Sequence, residues 1–429
     1  MKLLIVLCLS VVSLHLYSGE YTLQKAVETA VNNNRNLHIS VTEVRKMQEI
    51  MKQQRAAHFP TITFSTQYTR LSDIARFELP MAARDMGARD NYEARLSLKY
   101  LLFAWWSVTN TVRMSNLSVE SSRLSLRQVK EMVVYSTTMA FYRALLFQKV
   151  YETKVEALQR EKDHLQTVQQ FVSQGRASRF DLLKARVQME EMSAQVLQSK
   201  NDYEMSINQL RLLLGSPLSE EIKLKGELKT FPVAEENHIR NALKNRAEIA
   251  ILKLSSEILQ LKLRVIDAEN KPRIYLFADG YVSYPYLMEK KWGFNWLAGI
   301  KLEINVFDGM AVRHRYNTAE QELRQNETRL ADAIANVRSE VQDIQMDLSN
   351  AKKILAVREK SVALAEEALN IAKVSYKNGV ITNLDVLNSE LSYTNARLSH
   401  LEGVYKVILG VMNLKKATGT LLSSGANHG

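Results

Sequence analysis

Residues 173–183 read S-Q-G-R-A-S-R-F-D-L-L, and residues 377–387 read K-N-G-V-I-T-N-L-D-V-L. In each, a glycine is followed three positions on by Ser or Thr and after three more by Asp: Gly175, Ser178, Asp181, then Gly379, Thr382, Asp385. Glycine just past a helix end supplies the left-handed residue that stops it. The hydroxyl then caps a new helix, and the acid at the third position lies near the positive end of the dipole. Each stretch therefore predicts a tight turn between two antiparallel helices. The copies lie 204 residues apart in a chain of 429, so each half carries one.

On either side the chain is permissive of very long helices. Its six prolines are Pro60, Pro80, Pro217, Pro232, Pro272 and Pro285, so 86–216 and 286–429 have none. The pattern before the first turn is helical from about Asn110 to Ser173, on the order of 95 Å at 1.5 Å per residue. The returning helix, Ser178 to about Leu214, repeats Leu182, Met189, Val196, Tyr203 and Leu210 every seven residues and ends at Gly215-Ser216-Pro217. In the second half, Leu323, Leu330, Val337 and Ile344 interleave with Ile334, Val341, Leu348, Leu355, Val362 and Leu369. After the turn, Leu384, Leu391, Leu398, Tyr405 and Met412 interleave with Leu387, Leu401 and Ile408. Steps of four and three drive left-handed coiled-coil packing.

Upstream of each long helix the period changes to two. Ile62, Phe64 and Tyr68 alternate with Thr61, Thr63, Ser65, Gln67 and Thr69, and Leu96, Leu98, Tyr100 and Leu102 with Arg95, Ser97 and Lys99. Such alternation marks strands with one apolar and one polar face, here Thr61–Arg70 and Arg95–Leu102. Between them Leu71–Tyr92 reads as a polar loop. Further strands are read at Arg273–Tyr284 and Trp296–Val306. Helical patterns over Glu20–Asn36 and Leu37–Ala57 precede the first pair. Arg246-Ala247-Glu248-Ile249 answers Asn34-Arg35-Asn36-Leu37 at an offset of 212, as Pro272 answers Pro60. The offset drops to 204 past the hairpins and holds from Gly175/Gly379 to Gly215/Gly419, which marks an internal repeat.

The domain reading follows: a signal peptide over 1–19; a first repeat over 20–216 with a β-hairpin at 60–104 and a tip turn at 174–178; a connector over 217–236; a second repeat over 237–419 with a hairpin at 272–307 and a tip turn at 378–382; and a tail over 420–429. Met1-Lys2, an apolar run Leu3–Leu16 and Tyr17-Ser18-Gly19 have the order of a cleavable export signal. The single Cys8 lies inside that run, so the exported chain is expected to lack thiolate metal sites, disulfides and Cys nucleophiles. Net charge is +11, but the basic residues are dispersed along helices rather than clustered with aromatics, so no nucleic-acid partner is expected. There is no HExxH and no Gly-rich phosphate loop, and the eight His are scattered. No catalytic, cofactor-binding or metal residue is assigned, no cofactor is expected, and the chain does not read as an enzyme.

Strands of about ten residues match the length that crosses an outer membrane at a tilt. Four of them cannot close a barrel, and an open edge in lipid would leave backbone groups unpaired. The barrel is therefore shared between chains: three copies give twelve strands, with the apolar phase toward lipid. Trp105, Trp106, Trp292, Trp296, Tyr284 and Tyr286 sit where an aromatic girdle would lie. A soluble hairpin packed on the helices is the rival for this part of the chain.

Together these residues resemble the TolC-like outer membrane factors. The resemblance rests on the duplicated G-x-x-[ST]-x-x-D-[LV]-L turns, the Pro-initiated hairpins, Phe307-Asp308-Gly309 at the step into the long helix, and the L-x-x-x-x-G helix ends. It implies a mostly α fold with a small β part: long antiparallel coiled-coil helices form a trimeric α-barrel, continuous with a twelve-stranded transmembrane β-barrel to which each chain gives four strands. It also implies a homotrimer in outer membrane lipid with its helical tunnel in the periplasm. The trimer would be the passive exit duct of a tripartite efflux pump or type I secretion system, docked to a periplasmic adaptor and driven by an inner-membrane transporter. On this resemblance Gly175, Ser178, Asp181, Leu182, Leu183, Gly379, Thr382, Asp385, Val386 and Leu387 are adaptor-docking residues. Asp385 and Asn388 mark the periplasmic gate. Many relatives with a tightly closed tip carry a second acid where Asn388 stands, and some use an Arg where Ile381 stands, which implies a gate built differently here. The alternative is a periplasmic coiled-coil scaffold or adhesin without a pore. The transported substrate and the transporter class are not legible.

Overall fold

The structure, a computed structural model, describes residues 19–79, 82–217, 221–232 and 237–422. The segment read as an export signal up to Ser18, Pro80 and Met81, most of the segment read as a tail and parts of that read as a connector lie outside the described residues. In chain order the elements are β1 (Gly19–Tyr21), α1 (Leu23–Asn33), α2 (Arg35–Ala56), β2 (Thr61–Arg70), β3 (Arg76–Leu79), β4 (Ala82–Asp85), β5 (Asp90–Phe103), α3 (Ser107–Ser173) and α4 (Arg179–Leu214). Then come β6 (Ile222–Leu224), α5 (His238–Asn245), α6 (Ala247–Asp267), β7 (Arg273–Tyr284), β8 (Gly293–Glu303), α7 (Ala311–Lys377) and α8 (Asn383–Ala417). The chain divides into two compact units, one of residues up to Ile39, Arg127–Ala247 and Ile334 onward, the other of Ser40–Leu126 and Glu248–Ala333.

The first unit is helical. Phe141, Leu145, Leu210, Leu214, Ile408 and Val411 form its main core. Of the heptad residues read on α7, Val337, Val341, Leu348, Leu355 and Leu369 are buried, and Leu323, Leu330, Ile334, Ile344 and Val362 are half-buried. On α8 the reading needs correction. Leu384 and Leu391 are exposed, and the packed face runs through Val386, Leu387, Glu390, Thr394, Val404, Val407 and Ile408. On α4 a second seven-residue series, Ala185, Met192, Ser199 and Ser206, is buried. Small and polar side chains hid it, because they let helices approach closely without an apolar pattern. The charged connector also holds a strand: Ile222–Leu224 pairs in parallel with Gly19–Tyr21. A three-residue strand is too short to show a period.

The second unit carries the sheet, in the order β2-β5-β7-β8 with antiparallel neighbours. Its ladder sets Ile62 opposite Leu98, Phe64 opposite Leu96, Leu276 opposite Ile300 and Ile274 opposite Leu302. One face is therefore mainly apolar, with Thr66, Arg70 and Asp90 on the same phase, and Ile62, Phe64, Leu96, Trp296, Ile300 and Leu302 on it are exposed. The other face carries Ser65, Arg95, Lys99, Asp279, Lys301 and Glu303, with Arg95 stacked 4.7 Å from the Tyr281 ring centroid and Lys99 4.8 Å from that of Tyr275. Strand β7 has the bounds read from sequence.

Strand β2 likewise keeps the bounds read for it, Thr61–Arg70, and those of β5 and β8 moved for identifiable reasons. β5 begins at Asp90 rather than Arg95, because β2 pairs out to Arg70–Asp90. β8 runs Gly293–Glu303 rather than Trp296–Val306. The ladder ends where Glu303 meets Arg273, and the preceding Pro272 has no N–H to extend it. The segment read as a polar loop contains the β3–β4 hairpin. At the step from sheet to helix, Trp105 and Trp106 take φ of 53° and 59°, and 204 residues on Gly309 and Met310 take 67° each. A left-handed backbone costs a side-chain-bearing residue ~1–2 kcal/mol. Among the described residues no helix is long and apolar enough to cross a membrane.

Candidate functional site

The two turns of the helical unit are built alike. Gly175 takes φ +70° and Gly379 φ +75°. The N–H of Arg176 bonds the Phe171 carbonyl (2.7 Å) and that of Gly175 the Val172 carbonyl (3.0 Å); Val380 bonds Ser375 (2.9 Å) and Gly379 bonds Tyr376 (3.0 Å). This double bond pattern satisfies carbonyls that a helix end leaves open. A Cβ on either glycine would meet nothing within 4 Å, so the backbone angle alone demands glycine.

Each following helix opens on a complete capping box. Asp181 N–H bonds Ser178 Oγ at 3.0 Å, while Asp181 Oδ2 accepts from Ser178 N (3.2 Å) and Oγ (2.6 Å). Asp385 N–H bonds Thr382 Oγ1 at 3.3 Å, and Asp385 Oδ2 accepts from Thr382 N (2.9 Å) and Oγ1 (2.6 Å). The Thr382 hydroxyl and then its backbone N–H hold the Asp385 carboxyl below the usual carboxylate range.

The turns differ in what lies beneath them. Leu183 is 52% exposed and Leu182 half-buried, whereas Leu387 is 8% exposed and Val386 fully buried. Val386 and Ile381 pack with Leu165, Val168, Ala185 and Tyr376. Arg179 opens α4 in solvent, but Asn383, which opens α8, is buried. Asn383 Nδ2 donates to the Asp181 carbonyl (3.2 Å), leaving its Oδ1 to accept from His164 Nε2 (2.7 Å) and fixing that tautomer of His164. Arg176 donates to the Lys377 carbonyl at 3.0 Å and lies over the Phe171 ring. The second turn is thus tied to the first. Burial pushes the His164 pKa down.

Below the turns lies a polar layer that the sequence reading missed. Glu390, 1% exposed, accepts from Arg160 Nε (2.8 Å) on α3 and sits 2.6 Å from Lys373 Nζ on α7. Arg160 Nη2 also reaches Thr394 Oγ1 at 3.1 Å. Glu161 is 2% exposed, and its Oε2 has no hydrogen-bond partner among the described residues. Burial, and then the charge of Glu390, push its carboxyl up to about 7. The legible sign was Thr394, which interrupts the series Leu387, Leu401, Ile408 at its seven-residue position. Of the residues assigned to the gate, Asp385 and Asn388 are exposed side by side on α8. No cluster of three or more His, Cys, Asp or Glu that could hold a metal occurs among the described residues.

A family model described as outer membrane efflux protein matches residues 26–216 and 238–420. The proteases secretion protein PrtF of Dickeya chrysanthemi is 23% identical over 412 residues, covering 92% of this chain and 87% of that protein. The toluene efflux pump outer membrane protein TtgC of Pseudomonas putida is 20% identical over 403 residues, covering 92% and 82%. Among solved structures, the outer membrane protein VceC from Vibrio cholerae superposes with a TM-score of 0.80 at 18% identity, covering 92% of this chain and 96% of that one.

Proposed function

The chain belongs to the outer membrane efflux protein family, and we propose that it works as a homotrimeric exit duct, TolC-like in fold, with its sheet in the outer membrane and its long helices in the periplasm. In this reading residues 1–19 direct export, 20–216 and 237–419 are tandem repeats joined by 217–236, and 420–429 is a tail. Cleavage after Ser18 would leave β1 whole.

The observation that carries the assembly is the pair of open edges. β2 and β8 are each paired on one side only among the described residues, while the apolar face between them is exposed. Lipid cannot satisfy backbone N–H and C=O groups, so a sheet in a bilayer has to close. Three four-stranded sheets make a barrel of twelve strands with the Arg95, Lys99, Asp279 and Lys301 face toward water. The helical unit supports the same closure. Val357, Leu364 and Ile371 line α7 at seven-residue steps, and Val187, Leu197, Met205 and Leu212 stand out on α4, all exposed. These stripes are the seams between copies.

The duct is passive, and its energy comes from an inner-membrane transporter reached through a periplasmic adaptor. Gly175, Ser178, Asp181, Leu182 and Leu183 with Gly379, Thr382, Asp385, Val386 and Leu387 shape the docking tip. The exposed Leu183 is a contact, while the buried Val386 and Leu387 hold the turn in place. Asp385 and Asn388 line the resting gate. The test is fractionation: a heat-resistant trimer in the outer membrane is the expected result, and a monomer in the soluble periplasm would contradict the assembly.

A further inference from the structure

Strand β7 carries aromatic side chains on the face that β2 keeps polar. Tyr275, Phe277, Asp279 and Tyr281 share the phase of Arg273 and Ser283, opposite to that of Ile274, Leu276 and Val282. At the repeat offset of 212, which aligns Pro272 with Pro60, the first repeat has Thr63, Ser65, Gln67 and Thr69 at those four positions. On the apolar side Ile62 and Phe64 answer Ile274 and Leu276. The apolar face is thus built alike in both repeats, and the rings on the polar face belong to the second alone.

The register gives each of these rings a cation for a neighbour. Tyr275 lies opposite Lys301, Phe277 opposite Lys99, and Tyr281 opposite Arg95. The Lys99 ammonium also sits 4.8 Å from the Tyr275 ring centroid, and the Arg95 guanidinium 4.7 Å from that of Tyr281. Arg95 pairs with Glu93 and Lys301 with Glu303, acids that stand level with Ser283 and Arg273, beyond the two ends of the ring series. Lys99, beside the middle ring, has no ion pair among the described residues. Asp279, the acid within the series, is level with Ser97 and Leu297 rather than with a cation. Phe277 itself lies across Gly299, where a Cβ would stand 3.0 Å from its Cζ and 3.3 Å from its Cε1. The missing side chain lets the ring lean over the neighbouring strand, and glycine inside a strand marks such close approach.

We propose that this face of β7 is a stacking site for aromatic organic anions on their way out of the duct. The proposal rests on the outer-membrane reading above, which turns the face toward water, and it adds a class of transported compound to that reading. A ring of the solute stacks on Phe277 beside Tyr275, and its carboxylate or sulfonate meets the Lys99 ammonium. A cationic solute would have to displace Lys99 and Arg95 from the rings they already cover, so the charge of the site selects anions. Side chains on the lumen face tune what a pore favours. Because β7 is paired on both sides, with β5 and β8, the site lies whole within one chain and away from the open edges. A trimer presents it three times.

Single-channel recording of the full-length protein in planar bilayers tests this with 2-naphthoate as the probe. The expected result is a concentration-dependent fall in open-channel current. It should exceed the effect of octanoate (same charge, no ring) and of 2-naphthylmethylammonium (same ring, opposite charge). Phe277→Ser and Lys99→Gln should each raise the half-blocking concentration roughly two- to fivefold, and Lys99→Arg, which keeps the charge, should not. Octanoate blocking as strongly as naphthoate would overturn the role of the rings, and the ammonium doing so would overturn the preference for anions. Naphthoate block unchanged in both Phe277→Ser and Lys99→Gln would place its site elsewhere and overturn the proposal. Conductance steps without naphthoate block would overturn the stacking site and leave the duct intact. If the wild type gives no steps at all, the duct and the site fail together.

Discussion

The two turns share a backbone and a cap, but not a foundation. In the first, Arg179, Phe180 and Leu183 face solvent; in the second, Asn383, Val386 and Leu387 are buried and tied to His164 and Asp181. One motif therefore does two jobs. The capping box sets the local geometry in both places, and the residues around it decide whether the turn presents side chains outward or locks one hairpin to the other. Capping alone would have predicted interchangeable turns.

The largest expected effect breaks the foundation. Glu390→Ala leaves Arg160 and Lys373 partly buried without their counter-charge, which should destabilise the helical unit by ~3 kcal/mol. Denaturant titration of the detergent-solubilised protein checks this, and wild-type stability would show the layer to be dispensable. Next, Leu387→Ala should cost ~2–3 kcal/mol, because a buried leucine leaves a cavity. Leu183→Ala should stay within ~0.5 kcal/mol, as surface changes do, and should weaken adaptor binding instead. Equal stability losses would erase the distinction between the turns.

Glu161 gives a pH signature with a definite sign. Its folded-state pKa is raised from 4.5 to about 7, so the folded state holds the proton more tightly than the unfolded chain. Stability is greatest below the unfolded value and falls as pH rises from about 4.5 to about 7. Glu161→Gln should remove that slope and exceed the wild type at pH 8 by ~2–3 kcal/mol. An unchanged slope would mean that Glu161 ionises freely in the fold. His164 acts in the opposite sense: its lowered folded pKa withdraws stability as pH falls below 6.5. Smallest of all, Gly175→Ala and Gly379→Ala should each cost ~1 kcal/mol by equal amounts, since both replace a left-handed glycine in open space. An unequal pair would place the difference between the turns in the backbone itself.

The sequence disclosed features that repeat with a period. Heptads marked α7, alternation marked β7 to the residue, and Gly-x-x-Ser/Thr-x-x-Asp marked both caps. It concealed features that depend on a distant partner. β1 and β6 are three residues each and find one another across about two hundred positions. The buried faces of α4 and α8 use Ala, Ser, Thr and Glu, residue types that a search for apolar steps passes over. The Glu390 layer is assembled from three helices, and only the gap at Thr394 hinted at it. The candidate site was thus legible in its turns and caps, whereas the unequal support beneath them comes from side chains that only the fold brings together.

Asp181 and Asp385 make the same cap, so exchanging each for alanine separates capping from gating. Single-channel recording of the purified protein in planar bilayers should show discrete conductance steps. Asp385→Ala should raise the conductance or reduce block by divalent cations, and Asp181→Ala should leave both unchanged. Absence of steps in the wild type would contradict the duct, and identical behaviour of the two variants would contradict a gate at Asp385.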